Sequence, residues 1–508
     1  MDISFTKHKI VTEEPPFCLS GEIPVQCSIN SSEGDLKKIL KCSSDPQITS
    51  KSVSGRIITL EGTLSVQVIC LDSDCDLICL EHTIPFSKTF EGDSELDGAE
   101  ITADISEEKL SATLSSDRQV TVSGTIDITV CVRKQISREV ICDIDCKDIE
   151  QLKNKAQVTT PMGRGERNLI VEEEISIGNG QPSVGCLIRH SATAAVEEAK
   201  IIGNKVMVKG SVKIYVLYLP EEGTRPQNFE ESFPFSQLVD VEGINDACKC
   251  DATVKMLFCD LTPQVGTDDE IRSFSVAAKL GLLVKAYCDD ELPIVLDAYS
   301  TKNRMKPIKE GFVFKRICEN LRDRFIAKKD LEFSDGAIGS VIDMWCEIKK
   351  STVKAEKQGF KVMGTVLVNI LAYDCDGIPE CYEKPVDFEY TYHSETPFEM
   401  PEITYSLTIS HASYTIIRAN TLAVAVEPEI CATLYDSKKY EPVTDMVEDL
   451  SEEISDRKSS IVLYFADAGE TLWDIARRYN SSVEEIKTLN SVTEDVLSLP
   501  KKFIIPTK

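Results

Sequence analysis

Gly62-Thr-Leu-Ser-Val-Gln-Val-Ile-Cys70, Gly210-Ser-Val-Lys-Ile-Tyr-Val-Leu-Tyr218 and Gly364-Thr-Val-Leu-Val-Asn-Ile-Leu-Ala372 are three versions of one strand. After each leading glycine, apolar and polar residues alternate with a period of two, the pattern of a half-buried β-strand. An acidic turn follows each: Asp72-Ser-Asp-Cys-Asp76, Glu221-Glu-Gly223 and Asp374-Cys-Asp-Gly377. A second strand then runs into Pro85-Phe86-Ser87, Pro234-Phe235-Ser236 and Pro385-Val386-Asp387. The leading glycines lie 148 and 154 residues apart, so the chain carries a three-fold repeat.

Working outward, Ile57-Ile-Thr-Leu-Glu, Lys205-Val-Met-Val-Lys and Phe360-Lys-Val-Met precede the glycines in corresponding places. Downstream, another alternating pair closes each unit, over 120–132, 274–287 and 414–426. Units of about 150 residues are long enough to bury their own cores. Many short alternating strands with polar turns predict a mainly β chain of three repeated β-sandwich-like domains, over 1–155, 156–305 and 306–440. The segment 312–327 fits a helical pattern as well as a strand, and its type is open at this stage.

Composition narrows the function. Asp and Glu total 84 against 56 Lys and Arg, a formal charge of −28 in 508 residues. Such a surface repels nucleic-acid phosphate and anionic lipid. No apolar run approaches the roughly 20 residues of a membrane-spanning helix, and the opening Met1-Asp2-Ile3-Ser4 has no signal-peptide character. Nineteen cysteines without framework spacing suit a reducing compartment. Their tightest cluster, Cys70, Cys75 and Cys79 with His82, offers three sulfurs and an imidazole, but its spacing matches no common zinc module. Buried small apolar residues beside a hairpin are the expectation there. Asp72, Asp74 and Asp76 start like a calcium loop, yet Leu77 stands where that loop needs glycine and Thr83 where it needs glutamate. A solvated hairpin turn is expected.

No lysine follows a glycine, which excludes a Walker loop, and the five histidines form no His-Glu-x-x-His run. No Gly-x-Ser-x-Gly elbow occurs either. The expectation is a protein that is not an enzyme and needs no cofactor.

Residues 441–460 hold seven acids and two bases and predict an acidic linker. Past it the texture changes: a strand Ile461-Val-Leu-Tyr-Phe465, two short helices and a last strand Lys502-Phe-Ile-Ile-Pro506. Leu472, Ile475, Ala476 and Tyr479 make one helical face, and Val483, Ile486 and Leu489 another. Thr471 with Asp474, and Ser482 with Glu485, read as capping boxes. A βααβ module over 461–508 is the result.

The run Gly469-Glu470-Thr471-Leu472-Trp473-Asp474-Ile475-Ala476, with Ile486-Lys-Thr-Leu-Asn490 and Ile504-Ile505-Pro506, resembles a LysM module. It departs from that pattern at Glu470 (usually aspartate), at Ser491 (usually proline) and at Pro500-Lys501 (usually Pro-Gly). Three β-rich repeats and one C-terminal LysM, in an acidic chain without an export signal, resemble the clostridial SipL family of spore-coat morphogenetic proteins. That resemblance implies a mother-cell cytoplasmic scaffold, gathered at the forespore surface, whose LysM holds the coat-basement ATPase, stage IV sporulation protein A. Its implied partner site is the LysM groove: Asp467, Gly469, Glu470, Thr471, Leu472, Trp473 and Asn490. The competing expectation is binding to peptidoglycan chains containing N-acetylglucosamine, the usual ligand of LysM modules.

Overall fold

A computed structural model describes residues 3–13, 16–32, 34–178, 180–223, 225–266, 269–302, 305–333, 338–418, 420–448 and 460–507. The first repeat runs through β1 (Ser4–Glu13), β2 (Phe17–Asn30), β3 (Leu36–Ser54), β4 (Ile57–Asp72), β5 (Leu77–Glu91), β6 (Glu100–Ser116), β7 (Gln119–Arg133) and β8 (Gln135–Asp145). The second holds β9 (Ile149–Ser176), β10 (Val184–Ile202), β11 (Lys205–Pro220), β12 (Gln227–Asp240), β13 (Lys249–Val265) and β14 (Ile271–Ser300). The third holds β15 (Met305–Lys309), β16 (Phe312–Arg324), β17 (Ala327–Glu332), β18 (Ser340–Glu356), β19 (Gly359–Tyr373), β20 (Pro379–His393), β21 (Pro401–Arg418), β22 (Thr421–Tyr440) and β23 (Val443–Glu448). The C-terminal module is β24 (Ile461–Ala466), α1 (Leu472–Tyr479), α2 (Val483–Asn490) and β25 (Lys501–Pro506).

Each repeat packs two antiparallel sheets face to face. The repeat strands β4, β11 and β19 are the middle strands of β3-β4-β5, β10-β11-β12 and β18-β19-β20. The second sheets are β2-β7-β6, β9-β14-β13, and β22 flanked by β21 on one edge and by β16 and β17 on the other. Alternation places Val66, Val68, Val120 and Ile126 in the first core, Val212, Ile214, Val276 and Leu280 in the second, and Val366, Val368, Val424 and Val426 in the third. The chain is thus mainly β and, among the described residues, has helix only in the C-terminal module.

The leading glycine of each repeat has a packing cause. Gly62 pairs with Phe86, Gly210 with Phe235 and Gly364 with Phe388. A Cβ at any of the three would overlap that phenylalanine ring and a carbonyl of the other neighbouring strand, from Gln47, Ala195 or Lys350. The counterpart of Phe86 in the third repeat is therefore Phe388, not Val386. A two-residue shift keeps every side chain on its face, so the alternation could not reveal it. The acidic turns are hairpin turns: Asp72 Oδ1 accepts the N–H groups of Asp74 and Asp76, and Asp374 Oδ1 those of Asp376 and Ile378.

Four features settle or depart from the sequence reading. Residues 312–324 form a strand along β22, because pairing buries Phe312 and Phe314. Of the closing pairs, 414–426 spans the β21–β22 hairpin, whereas 120–132 lies within the single strand β7 and 274–287 within the single strand β14. Within 441–460, Val443–Glu448 is a strand paired with β15, and its Val443 and Met446 are buried; residues 449–459 lie outside the described residues. Finally, Cys18 and Cys131, which face each other across β2 and β7, form a disulfide.

The three repeats close into a ring. Ile69, Leu217 and Leu371, each seven residues after its glycine, meet in one buried cluster at the centre. Opposite them stand Lys41, Arg189 and Asp343, each at a bulge in its strand. Glu81 of the first repeat lies 3.2 Å from His190 Nδ1 of the second. Arg189 and Tyr215 of the second both donate to Asp343 of the third, at 3.2 and 2.6 Å. Lys38 and Lys41 of the first reach Glu380 and Glu383 of the third at 2.5 Å each.

A second junction lies beyond the sandwiches. The first and last strands of each repeat pair as two-stranded ribbons: β1 with β8, the start of β9 with the end of β14, and β15 with β23. Ile141, Val295 and Val443, one from each ribbon, share a buried cluster there.

Candidate recognition site in the C-terminal module

β24 and β25 pair antiparallel, and both helices cover one face of this small sheet. Leu472, Ile475, Ala476, Ile486, Phe503 and Ile505 are fully buried between them. Tyr479 stacks edge-on against Tyr464 at 5.7 Å, while Leu489 is exposed. Thr471 caps α1: its Oγ1 accepts from the Asp474 N–H at 3.1 Å. Ser482 makes no side-chain cap for α2, contrary to the capping-box reading.

The loop Asp467–Leu472 and the loop after Asn490 do lie together, joined by backbone bonds. The Gly469 N–H donates to Leu497 O, the Leu497 N–H to Glu470 O and the Leu472 N–H to Asp495 O. Gly469 adopts φ +92°, which favours glycine. The Glu470 carboxylate accepts from the Tyr464 hydroxyl and the Asp467 N–H. Those bonds hold its pKa below the ordinary glutamate value. The Asn490 side chain bridges α2 to β25: its amide donates to Ile486 O and Ile504 O and its oxygen accepts from the Ile504 N–H. Of the seven groove residues, Leu472 is core, Glu470, Thr471 and Asn490 make internal bonds, and Asp467 and Gly469 are exposed.

Trp473 lies elsewhere. Its indole N–H donates to Asp297 Oδ2 at 3.0 Å, and its ring meets Tyr299 edge-on at 5.0 Å. Arg477 donates to the same oxygen at 2.5 Å, Lys309 sits 3.0 Å from the other, and the Tyr299 hydroxyl donates to Ser481 O at 2.7 Å. Asp297 is 5% exposed and Tyr299 4%. Burial, reinforced by the Glu150 and Asp297 carboxylates, pushes the Tyr299 phenol well up. No local signal marks Asp297 or Tyr299 in the sequence, because their role arises only when α1 meets β14.

The opposite face of the small sheet is open. Ile461, Leu463 and Phe465 of β24 are 61%, 51% and 71% exposed, and Ile504 of β25 is 40% exposed. In register, Ile461 faces Pro506, Leu463 faces Ile504 and Phe465 faces Lys502, whose ammonium lies 5.5 Å from the phenyl ring. The signal was present in sequence: in a run of five apolar residues, one parity must remain outside when the other packs inward.

Cys70 and its neighbours do not converge as ligands. Cys70 is core, its thiol pushed up to about 12 by burial, while Cys75 lies at the hairpin turn, 3.1 Å from the Lys37 ammonium. Among the described residues no group of three or more His, Cys, Asp or Glu is arranged to hold a metal ion. No described helix is long and apolar enough to cross a membrane.

Comparison with protein-family models finds the SipL, SPOCS domain over residues 35–115 and 183–262 and the LysM domain over 467–506. The two SPOCS segments cover corresponding strands, β3 to β6 and β10 to β13. The third repeat lies outside them yet has the same two-sheet arrangement. No curated protein and no solved structure matches the chain. Both matched domain types are binding domains, not catalytic ones. The domain content, two SPOCS segments of the SipL type followed by a C-terminal LysM domain, matches that of a SipL-like protein.

Proposed function

We propose that this chain is a non-enzymatic morphogenetic scaffold of the spore coat, working in the mother-cell cytoplasm at the forespore surface. Its LysM module binds the coat-basement ATPase, stage IV sporulation protein A, while the ring of β domains organises further coat proteins. SPOCS and LysM domains together support a role in sporulation. The observation that carries the protein-binding reading is the open apolar sheet face, Ile461, Leu463, Phe465 and Ile504. A cluster of large exposed apolar side chains favours a protein surface over a hydroxyl-rich glycan. The groove residues Glu470, Thr471 and Asn490, with their polar groups committed internally, act by shaping the module.

The test is retention of the purified full-length chain on immobilised coat-basement ATPase and, separately, on purified peptidoglycan. The expected result is saturable retention on the ATPase that Phe465→Asp abolishes without unfolding. Retention on peptidoglycan alone would overturn the reading in favour of glycan binding. In sporulating cells a tagged chain should surround the forespore and disperse when residues 461–508 are removed.

A further inference from the structure

The three ribbons supply an internal comparison. Asp143, Asp297 and Asp445 each stand two residues after the junction residues Ile141, Val295 and Val443. Lys7, Lys153 and Lys309 face those junction residues in register. Lys153 of the second ribbon reaches Asp143 of the first at 2.7 Å, and Lys309 of the third reaches Asp297 of the second at 3.0 Å. At the first corner Asp143, half-exposed, takes Lys153 and Gln151 and, among the described residues, no LysM residue. A ribbon aspartate is therefore accommodated by the body alone. What sets the second corner apart is Tyr299, where the first ribbon has Asp145 and the third Val447.

We propose that Asp297 and Tyr299 form a docking site for the α1 face of the LysM module, a reversible latch that closes Trp473 against the second repeat. An outside protein that uses Trp473 then competes with the chain's own body. Among the described residues, the contacts that open together are Trp473 and Arg477 on one carboxylate oxygen, Tyr299 on Ser481 O, the Tyr299–Trp473 aromatic edge and the packing of Tyr299 into the apolar cluster of the module. Opening leaves Asp297 with Lys309, as Asp143 keeps Lys153 at the first corner. The sheet face of Ile461, Leu463 and Phe465 is exposed while the latch is closed, so a partner can engage there first and Trp473 can follow. The latch stands on these contacts alone; the competition rests on the protein-binding reading of the module.

The chain reports on its own latch, because it has only two tryptophans and the other, Trp345, is buried at the ring centre. Acrylamide quenching of the full-length chain should rise at least about twofold in Arg477→Glu, which sets a carboxylate against Asp297, and in Tyr299→Ala. Tyr299→Phe, which removes only the bond to Ser481 O, should give a smaller rise. Circular dichroism must show all three folded. Unchanged quenching in folded Arg477→Glu and Tyr299→Phe overturns the latch. In a second arm the Tyr299 variants, whose LysM surface is native, are titrated with coat-basement ATPase. If the closed state holds back binding, apparent affinity rises about threefold or more, as expected when a competent fraction is released. Raised quenching with unchanged affinity overturns the competition, and no binding by any form overturns the functional reading instead.

Discussion

Lys41 of the first repeat and Glu383 of the third form an ion pair of 2.5 Å that closes the ring. The lysine side chain is 8% exposed and the glutamate 51%, so removing the carboxylate leaves a nearly buried ammonium without its partner. Glu383→Ala should cost about 1–3 kcal/mol, between the exposed and buried cases. The expected readout is a lower urea midpoint and easier proteolysis between the first and third repeats. An unchanged midpoint would mean that the pair is solvated and the ring is held by Ile69, Leu217 and Leu371.

The repeat glycines make a prediction about size. Gly62→Ala, Gly210→Ala and Gly364→Ala each place a methyl group against a phenylalanine and a carbonyl. Each should destabilise by about 1–3 kcal/mol through overpacking. Combining Gly364→Ala with Phe388→Leu should recover part of the loss, measured by thermal unfolding.

The junction of the first two repeats has an acid limit. Burial raises the Glu100 carboxyl, but the Lys285 hydrogen bond and charge, then Arg164 and Arg133, outweigh it and leave it below its ordinary value. The folded value thus lies below the unfolded one, about 4.3. Its stabilising contribution is complete above that value and is lost as pH falls through the folded value. Melting temperature should decline on acidification below about pH 4.3, and Glu100→Gln should flatten that part of the profile.

Asn490 ties α2 to β25 through three hydrogen bonds. Asn490→Ala leaves backbone groups of Ile486 and Ile504 without these partners and should destabilise the module by about 1–3 kcal/mol. Hydrogen exchange should quicken at Ile504 while β4 and β11 keep their protection. Uniform loosening of the whole chain would contradict this local role.

Cys248 and Cys288 hold their sulfurs 2.6 Å apart across the start of the β13–β14 pair. A mild dithiol oxidant such as diamide should join them, giving a linked peptide by mass spectrometry that reductant removes. Burial, with Cys248 and then Asp290 and Asp289 nearby, pushes the Cys288 thiol up to about 11, so reaction should speed as pH rises. Recovery of both as separate alkylated peptides would exclude the link.

The sequence by itself determined the local code of this protein. Period-two alternation after Gly62, Gly210 and Gly364 specified the repeat strands, because only that spacing puts Val66, Ile214 or Val368 on one buried face. The pattern from Gly469 to Ala476 specified α1 and its Thr471 cap, since both depend on residues within one turn. The tertiary structure alone decided what depends on distant partners. The pairing of 312–324 with β22 settled a segment with two local readings, and the docking of Val443 and Met446 turned part of an acidic tract into a strand. The Cys18–Cys131 bond and the closure of the ring through Lys41 needed strands far apart in sequence to be brought together. Trp473 shows the division most clearly. Following Leu472 in α1, it stands about 100° around the helix from that buried residue, but whether it met solvent, a partner or the chain itself was decided by Asp297 and Tyr299, which no local pattern connects to it.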